Sequence, residues 1–471
     1  MDGGNYGKTT TRWIVALASI GSLMAALDTL VVSTALSTIR ADLGASVEQL
    51  QWTINAYNLS FALLLITAVA LGDRFGRRLT YAAGLALFAA ASAACALAPS
   101  VGLLIAGRAL QGAGAAMILP LGLALLSDAF PPEKRGAAIG IFSAITGIAV
   151  ALGPVVGGAI VQGLDWHWIF WVNVPIGVIA APLVLAKMRE SFGPDKAIDI
   201  LGLVLISAGM FGIVWGLVRG NDVGWASAEV LTAFVAGAGL CAAFVAWQMR
   251  APAPMIPLGM FRDRSFSAGN VAIFFTLASL FSEVFFFAQF LQTVAGLDPL
   301  GVGLRLLPWT ATLITVAPLA GAYSDRIGER PLLVTGLTLQ AIGLIWLVAI
   351  AKTDISYAAL LGPFIVSGVG VSIAIPCAQN TVMARMSSEN LGKGSGVNST
   401  MRELGGVFGV ATAVAVFAAN GNLGSTEALV SGFKPAIGVA AGFAICGAIA
   451  GSFVPSKEAA IAAIPVTEAG Q

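Results

Sequence analysis

A chain of 471 residues with 58% hydrophobic and only 10% charged residues is not a soluble globular protein, where roughly a quarter would be charged. A net charge of +1 excludes the basic footprint of a nucleic-acid partner. Cys95, Cys241, Cys377 and Cys446 all lie inside apolar runs, so neither a disulfide framework nor a metal or other cofactor site is implied.

The first apolar run, 13–39, is too long for a signal-peptide core and keeps Asp28, so it reads as a membrane span. Runs of spanning length recur to the end, giving about fourteen helices. They lie at 13–39, 48–71, 79–98, 101–128, 136–162, 168–188, 199–219, 226–247, 265–294, 301–323, 331–351, 356–384, 395–419 and 434–454. With the N-terminus in the cytoplasm, the tails and inner loops hold most of the 25 basic residues, while the outer loops hold only Arg40, Arg219, Lys352 and Lys434. That asymmetry predicts both termini inside.

Charges within the spans are the functional candidates, because an ionisable side chain in lipid is costly. In span 1, Asp28 lies about 22 Å from the inner start; in span 4, Arg108 lies about 10 Å from the outer start. Both then sit in the outer half of a core roughly 30 Å thick, and they are expected to face a central cavity and couple there. A static ion pair bracing the two spans is the alternative. Glu283 of span 9 is set among Phe281, Phe285, Phe286, Phe287 and Phe290, either as an aromatic cage for a cation or with the rings turned to lipid. Arg402 and Glu403 of span 13, adjacent on a helix, point about 100° apart, so either one lines the inner cavity or they snorkel. Tyr57, Gln111, Phe286 and Gln289 complete the candidate substrate cavity. Arg305 is expected to snorkel, and His167, between Trp166 and Trp168, to belong to an aromatic belt.

An internal repeat orders these features. Asp73-Arg74-Phe75-Gly76-Arg77-Arg78 returns as Asp325-Arg326-Ile327-Gly328-Glu329-Arg330. At nearly the same offset, Asp28 meets Glu283, and Gly112, Gly114 and Pro120 meet Gly368, Gly370 and Pro376. The equivalent of Arg108 is Phe364, so structure is duplicated and chemistry is not. The divisions are a cytoplasmic tail at 1–12, a six-helix bundle at 13–188, a linker with two additional spans at 189–264, a second six-helix bundle at 265–454 and a cytoplasmic tail at 455–471, expected to be disordered from Ser456. Parallel halves of this kind are a transporter architecture. No Gly-x-x-x-x-Gly-Lys-[Ser/Thr] phosphate loop is present, and no catalytic constellation marks an enzyme.

Several motifs resemble the major facilitator superfamily, and within it the fourteen-span drug:proton antiporter family. Span 1, Leu27-Asp28-Thr29-Leu30-Val31-Val32-Ser33-Thr34-Ala35-Leu36, is similar to that family's signature, departing at Leu30, Ser33 and Ser37. The loop Asp73–Arg78 resembles the superfamily's gating loop, with Val69 where a leading glycine is usual, a residue that Gly321 supplies in the second copy. Arg108 with Gln111-Gly112 resembles its span-4 motif. Gly147 with Gly153-Pro154-Val155-Val156-Gly157-Gly158 resembles the span-5 antiporter motif. Trp166-His167-Trp168-Ile169-Phe170 with Asn173-Val174-Pro175 is similar to the start of span 6, with His167 in place of the usual arginine.

The resemblance implies a major facilitator fold and a monomer in the bacterial cytoplasmic membrane. The activity it implies is export of lipophilic small molecules, cations among them, driven by the proton gradient. Asp28, Arg108 and Glu283 would couple protons. Asp73, Arg74, Gly76, Arg77, Arg78 and Asp128, with Asp325, Arg326, Gly328 and Arg330, would form the gate. A dedicated exporter of one metabolite and a non-transporting member of the fold are the alternatives.

Overall fold

The computed structural model describes residues 8–130, 142, 145, 146, 149, 152, 153, 155–192, 199–252, 254, 256, 258–383 and 391–456. The described elements are helical: α1 Lys8–Leu43, α2 Val47–Phe75, α3 Arg77–Ala96, α4 Val101–Ala129, the end of α5 (155–163), α6 Asn173–Lys187, α7 Ile200–Val223 and α8 Ala228–Gln248. They continue with α9 Arg264–Thr293, α10 Pro299–Ile327, α11 Glu329–Ile350, α12 Tyr357–Met383, α13 Leu391–Asn420 and α14 Thr426–Ser452. A turn of helix, Trp168–Trp171, leads into α6, and a 3-10 turn, Leu258–Arg262, into α9.

Among the described residues, twelve helices are long and apolar enough to cross a bilayer, and α2, bent by 49° between Leu65 and Thr67, makes a thirteenth. About half of the expected fifth span, 136–162, lies outside the described residues, as do Gly147, Pro154 and the tail beyond 456. The last span differs from expectation. It begins at Thr426, where Ser425 accepts the Ala428 N–H at 3.1 Å, so Lys434, read as a loop residue, stands within α14.

The repeat is visible in the backbone. Gly76 joins α2 to α3 with φ 110°, and Gly328 joins α10 to α11 with φ 93°. Each is a one-residue corner that a side chain would strain. Gly76 donates to the Gly72 carbonyl at 2.9 Å and Gly328 to that of Ser324 at 2.8 Å. The duplicated glycines of α4 and α12 match as well. In lipid, helices associate by close packing and not by excluding water. A Cβ at Gly112 or Gly114 would strike α2 or α3, and one at Gly368 or Gly370 would strike α10 or α11.

Two packing groups result: α1–α4 with α6, and α9–α14. Between them α7 and α8 pair with each other, and α7 rests on α13 and α2. Trp52 of α2 packs on Phe211 and Trp215 of α7, and Leu59 and Leu63 cluster with Val214, Leu404 and Val407. The inserted pair thus lies along the seam where α2 meets α13.

The side on which α1 and α9 begin is the near face, and the side on which they end is the far face. At the far face the groups touch. Gln292 donates to the Thr34 carbonyl at 2.9 Å, and Gln162 bonds Asp298. One apolar core there includes Val31, Leu36 and Leu104 together with Phe286, Phe290, Phe364 and Phe433. Toward the near face there are three separate cores, one around Ile14, Tyr81 and Leu125, one around Ile273, Leu333 and Cys377, and one around Phe244, Phe266 and Val382. The described core therefore joins the groups at the far face and, through Leu59 and Leu63 with Leu404 and Val407, midway along α2 and α13.

Candidate functional site

Arg108 is 1% exposed, so its donors need partners inside the protein. Its Nη1 binds Asp28 Oδ2 and donates to Gln111 Oε1 at 2.8 Å, and its Nε donates to the Thr53 carbonyl at 3.0 Å. The second carboxylate oxygen of Asp28 accepts from Gln111 Nε2 at 3.3 Å and Asn173 Nδ2 at 3.4 Å. Gln111 also donates to Ser92 Oγ at 2.6 Å, which fixes its amide. The guanidinium lies over the Tyr57 ring at 4.4 Å, and the Tyr57 hydroxyl donates to the Ala25 carbonyl at 3.2 Å. Asp28 and Arg108 thus meet, but inside the first packing group. Neither reaches solvent in this conformation, contrary to the expectation of a central cavity. The reason is that neighbouring helices satisfy the charges more completely than an open cleft would.

Glu283 is buried in the second group on a different pattern. Oε1 accepts from Trp309 Nε1 at 2.8 Å and Ser367 Oγ at 3.4 Å, and Oε2 from Gln340 Nε2 at 3.4 Å. These are neutral donors from α10, α12 and α11, and among the described residues no cation pairs with it. Three of the neighbouring phenylalanines pack on rings of other helices. Phe286 packs on Phe417, Phe287 stacks on Phe364 at 4.5 Å, and Phe290 meets Phe433. They do not face lipid: Phe285, Phe286, Phe287 and Phe290 are all buried. Phe364, standing where the repeat would place Arg108, fills that space with a ring.

At the near face Arg77 binds Asp73 at 2.9 Å and Asp128 at 2.7 Å. Arg78 Nη1 donates to the Leu185 and Met188 carbonyls at 3.1 and 3.2 Å, at the end of α6. Glu190, absent from the sequence reading, accepts the Arg78 N–H at 2.7 Å and the Leu79 N–H at 3.3 Å. It supplies the cap that Gly76 lacks at the start of α3. Arg74 and Arg330 are exposed, and the side chains of Asp325 and Arg326 lie outside the described residues. Gly157 brings α5 against Val31 of α1, where a Cβ would clash at 2.6 Å, and Gly153 and Gly158 are buried. Arg402 and Glu403 are half-buried, with Arg402 Nε unpartnered. Arg305 Cζ lies 5.4 Å from the Tyr357 ring centroid, and His167 stacks on Trp166 beside Asp165. Asn173, Ser92, Trp309, Gln340 and Ser367 were also missed. Only Asn173, inside the span-6 motif, carried a signal. Among the described residues no group of three or more His, Cys, Asp or Glu is placed to hold a metal.

A membrane protein of paired helical groups, with Asp28 buried deep in one and Glu283 in the other, has the form of a solute transporter. The chain belongs to the Major Facilitator Superfamily, whose family model matches residues 18–410, and it is a transporter rather than an enzyme. It is 36% identical to the tetracenomycin C resistance and export protein of Streptomyces glaucescens over 85% of this chain and 74% of that one. It is 34% identical to the multidrug efflux pump LfrA of Mycolicibacterium smegmatis over 88% of this chain and 82% of that one. In structure it resembles the xylose transporter XylE of E. coli in a partially occluded inward-open conformation. That match has a TM-score of 0.64 and 14% identity, and covers 96% of this chain and 99% of that one. A peptide transporter POT matches with a TM-score of 0.65 and 17% identity over 94% and 95%. These two likenesses concern the fold alone.

Proposed function

We propose that this chain exports lipophilic small molecules across a bacterial cytoplasmic membrane in exchange for protons. The observation that carries the reading is the contrast between the buried carboxyl groups of Asp28 and Glu283. Protonating Asp28 releases Arg108 from an ion pair that links α1 to α4; protonating Glu283 breaks no ion pair. A proton arriving at Asp28 thus loosens helix packing in one half, whereas Glu283 can hold a proton while its half stays intact. The basic residues of the near face support placing that side in the cytoplasm. The core shared at the far face supports a cycle in which the halves rock about that end and then open it. Arg77, Asp73 and Asp128 would hold the near end of α2 to α4 as it moves. Inward movement of one proton yields about 2.3 kcal/mol per 100 mV, enough for a gradient of one to two orders of magnitude of a neutral solute.

The names of the relatives, one for a single exported compound and one for multidrug efflux, support two breadths of substrate. Resistance profiling with unrelated compounds separates them: protection against many favours multidrug efflux, and protection against one favours a dedicated exporter. The mechanism is tested by drug-driven proton release from vesicles holding the purified protein, with Glu283→Gln beside the parent. Export that proceeds without proton movement in the parent rejects the reading.

A further inference from the structure

Helix α2 carries a buried stripe of amides that no ion pair or gate uses. Gln51, Asn55 and Asn58 are 1%, 0% and 1% exposed. Gln51 Nε2, both polar atoms of Asn55, and Asn58 Nδ2 have no hydrogen-bond partner. Such groups are costly to leave buried and call for an explanation. At about 100° per residue, the spacing puts all three on one face. Tyr57 and Thr53, which face Arg108 and α1, lie to one side of it; Leu59 and Leu63, which face α13 and α7, lie to the other. The stripe therefore looks between α1 and α13, toward the junction of the two groups. Contacts run α1 to α2, α2 to α13, α13 to α9 and α9 to α1, closing a ring of four helices. On α9, Gln289 is 4% exposed with Nε2 also unpartnered, one turn from the Gln292 that touches α1.

The amide stripe itself carries no charge. Asp28 is paired with Arg108, Glu283 is held among α10, α11 and α12, and on α13 Arg402 and Glu403 are half-buried neighbours, with Arg402 Nε unpartnered. An amide offers one acceptor and two donors and no charge. We infer that Gln51, Asn55, Asn58 and Gln289 form a hydrogen-bonding wall for neutral lipophilic solutes that carry carbonyl and hydroxyl groups. The proposal rests on the export reading for its setting, and narrows its substrate class away from cations. When the ring loosens, solute oxygens supply the partners the amides lack, and the apolar body of the solute lies against the rest of the ring.

The test is equilibrium dialysis of the purified full chain, without a proton gradient, against a neutral dihydroxyanthraquinone and against tetraphenylphosphonium. Asn55→Leu and Asn58→Leu should each weaken binding of the first probe about 3- to 10-fold, the worth of one or two hydrogen bonds. Tetraphenylphosphonium should be affected less than about 2-fold on the same reasoning. Thermal unfolding should stay level or rise, because a desolvated amide has been removed; a merely structural role would lower it. Asn55→Ala and Asn58→Ala repeat the comparison should a leucine variant fail to fold. No binding of the dihydroxyanthraquinone to the parent, no loss in the variants, or equal loss for both probes overturns the inference. Failure of the export reading shows instead in the vesicle experiment, as drug movement without protons.

Discussion

At the residue scale, the buried ion pair and the unpaired glutamate respond differently to the same substitution. Asp28→Asn leaves the Arg108 guanidinium without a counter-charge inside the protein, and breaking a buried pair from one side costs about 3–5 kcal/mol. Thermal unfolding in detergent should show that loss, and Arg108→Gln added to Asp28→Asn should restore most of it. Glu283→Gln removes no partner charge. It exchanges one acceptor for a donor facing Trp309 or Gln340, a cost of about 1–3 kcal/mol, so the variant should fold and bind solute yet fail to couple protons. Both carboxyl groups and Arg108 were legible in the sequence because an ionisable residue stands out in an apolar run. Trp309, Gln340 and Ser367 were not. They are neutral, common in membrane helices, and come from three separate spans, so nothing in their spacing ties them to Glu283.

At the element scale, the α2–α3 corner depends on a glycine and on a carboxylate from a distant loop. Gly76→Ala forces a side chain into a positive-φ conformation and toward the Glu190 carboxylate, for which about 1–3 kcal/mol is expected. Glu190→Ala leaves two N–H groups at the start of α3 without their acceptor and should cost about 1–2 kcal/mol. Faster amide exchange at Arg78 and Leu79 would be the measurable sign, with α4 and α6 unaffected. The glycine was legible because the motif recurs at Gly328. Glu190 was not, since in a loop with Lys187 and Arg189 it reads as one more solvated charge. Start and stop of α14 misled for a related reason: Lys434 resembled a loop signal although Ser425 caps the helix earlier.

At the scale of the whole molecule, the two groups share a core at the far face and a smaller cluster midway between α2 and α13, and hold separate cores toward the near face. Which ends of the helices meet depends on packing across the repeat. Composition, span order and motif spacing are the same in every conformation of such a protein, so this feature was not legible beforehand. If the far-face contacts must part in the cycle, fixing them should stop it. Gln162→Cys with Asp298→Cys, in a Cys446→Ser background, should lose transport when bridged by a short thiol cross-linker and regain it after reduction. Unchanged transport in the cross-linked protein would rule out opening at that face.

The most direct test of proton exchange is drug-driven proton release from sealed vesicles, comparing the parent with Asp28→Asn/Arg108→Gln. The pair of substitutions removes the titratable contact without stranding a charge. The account predicts proton release in the parent and its loss in the folded double variant, with solute binding retained in both. Full proton release from the double variant would contradict a coupling role for this ion pair.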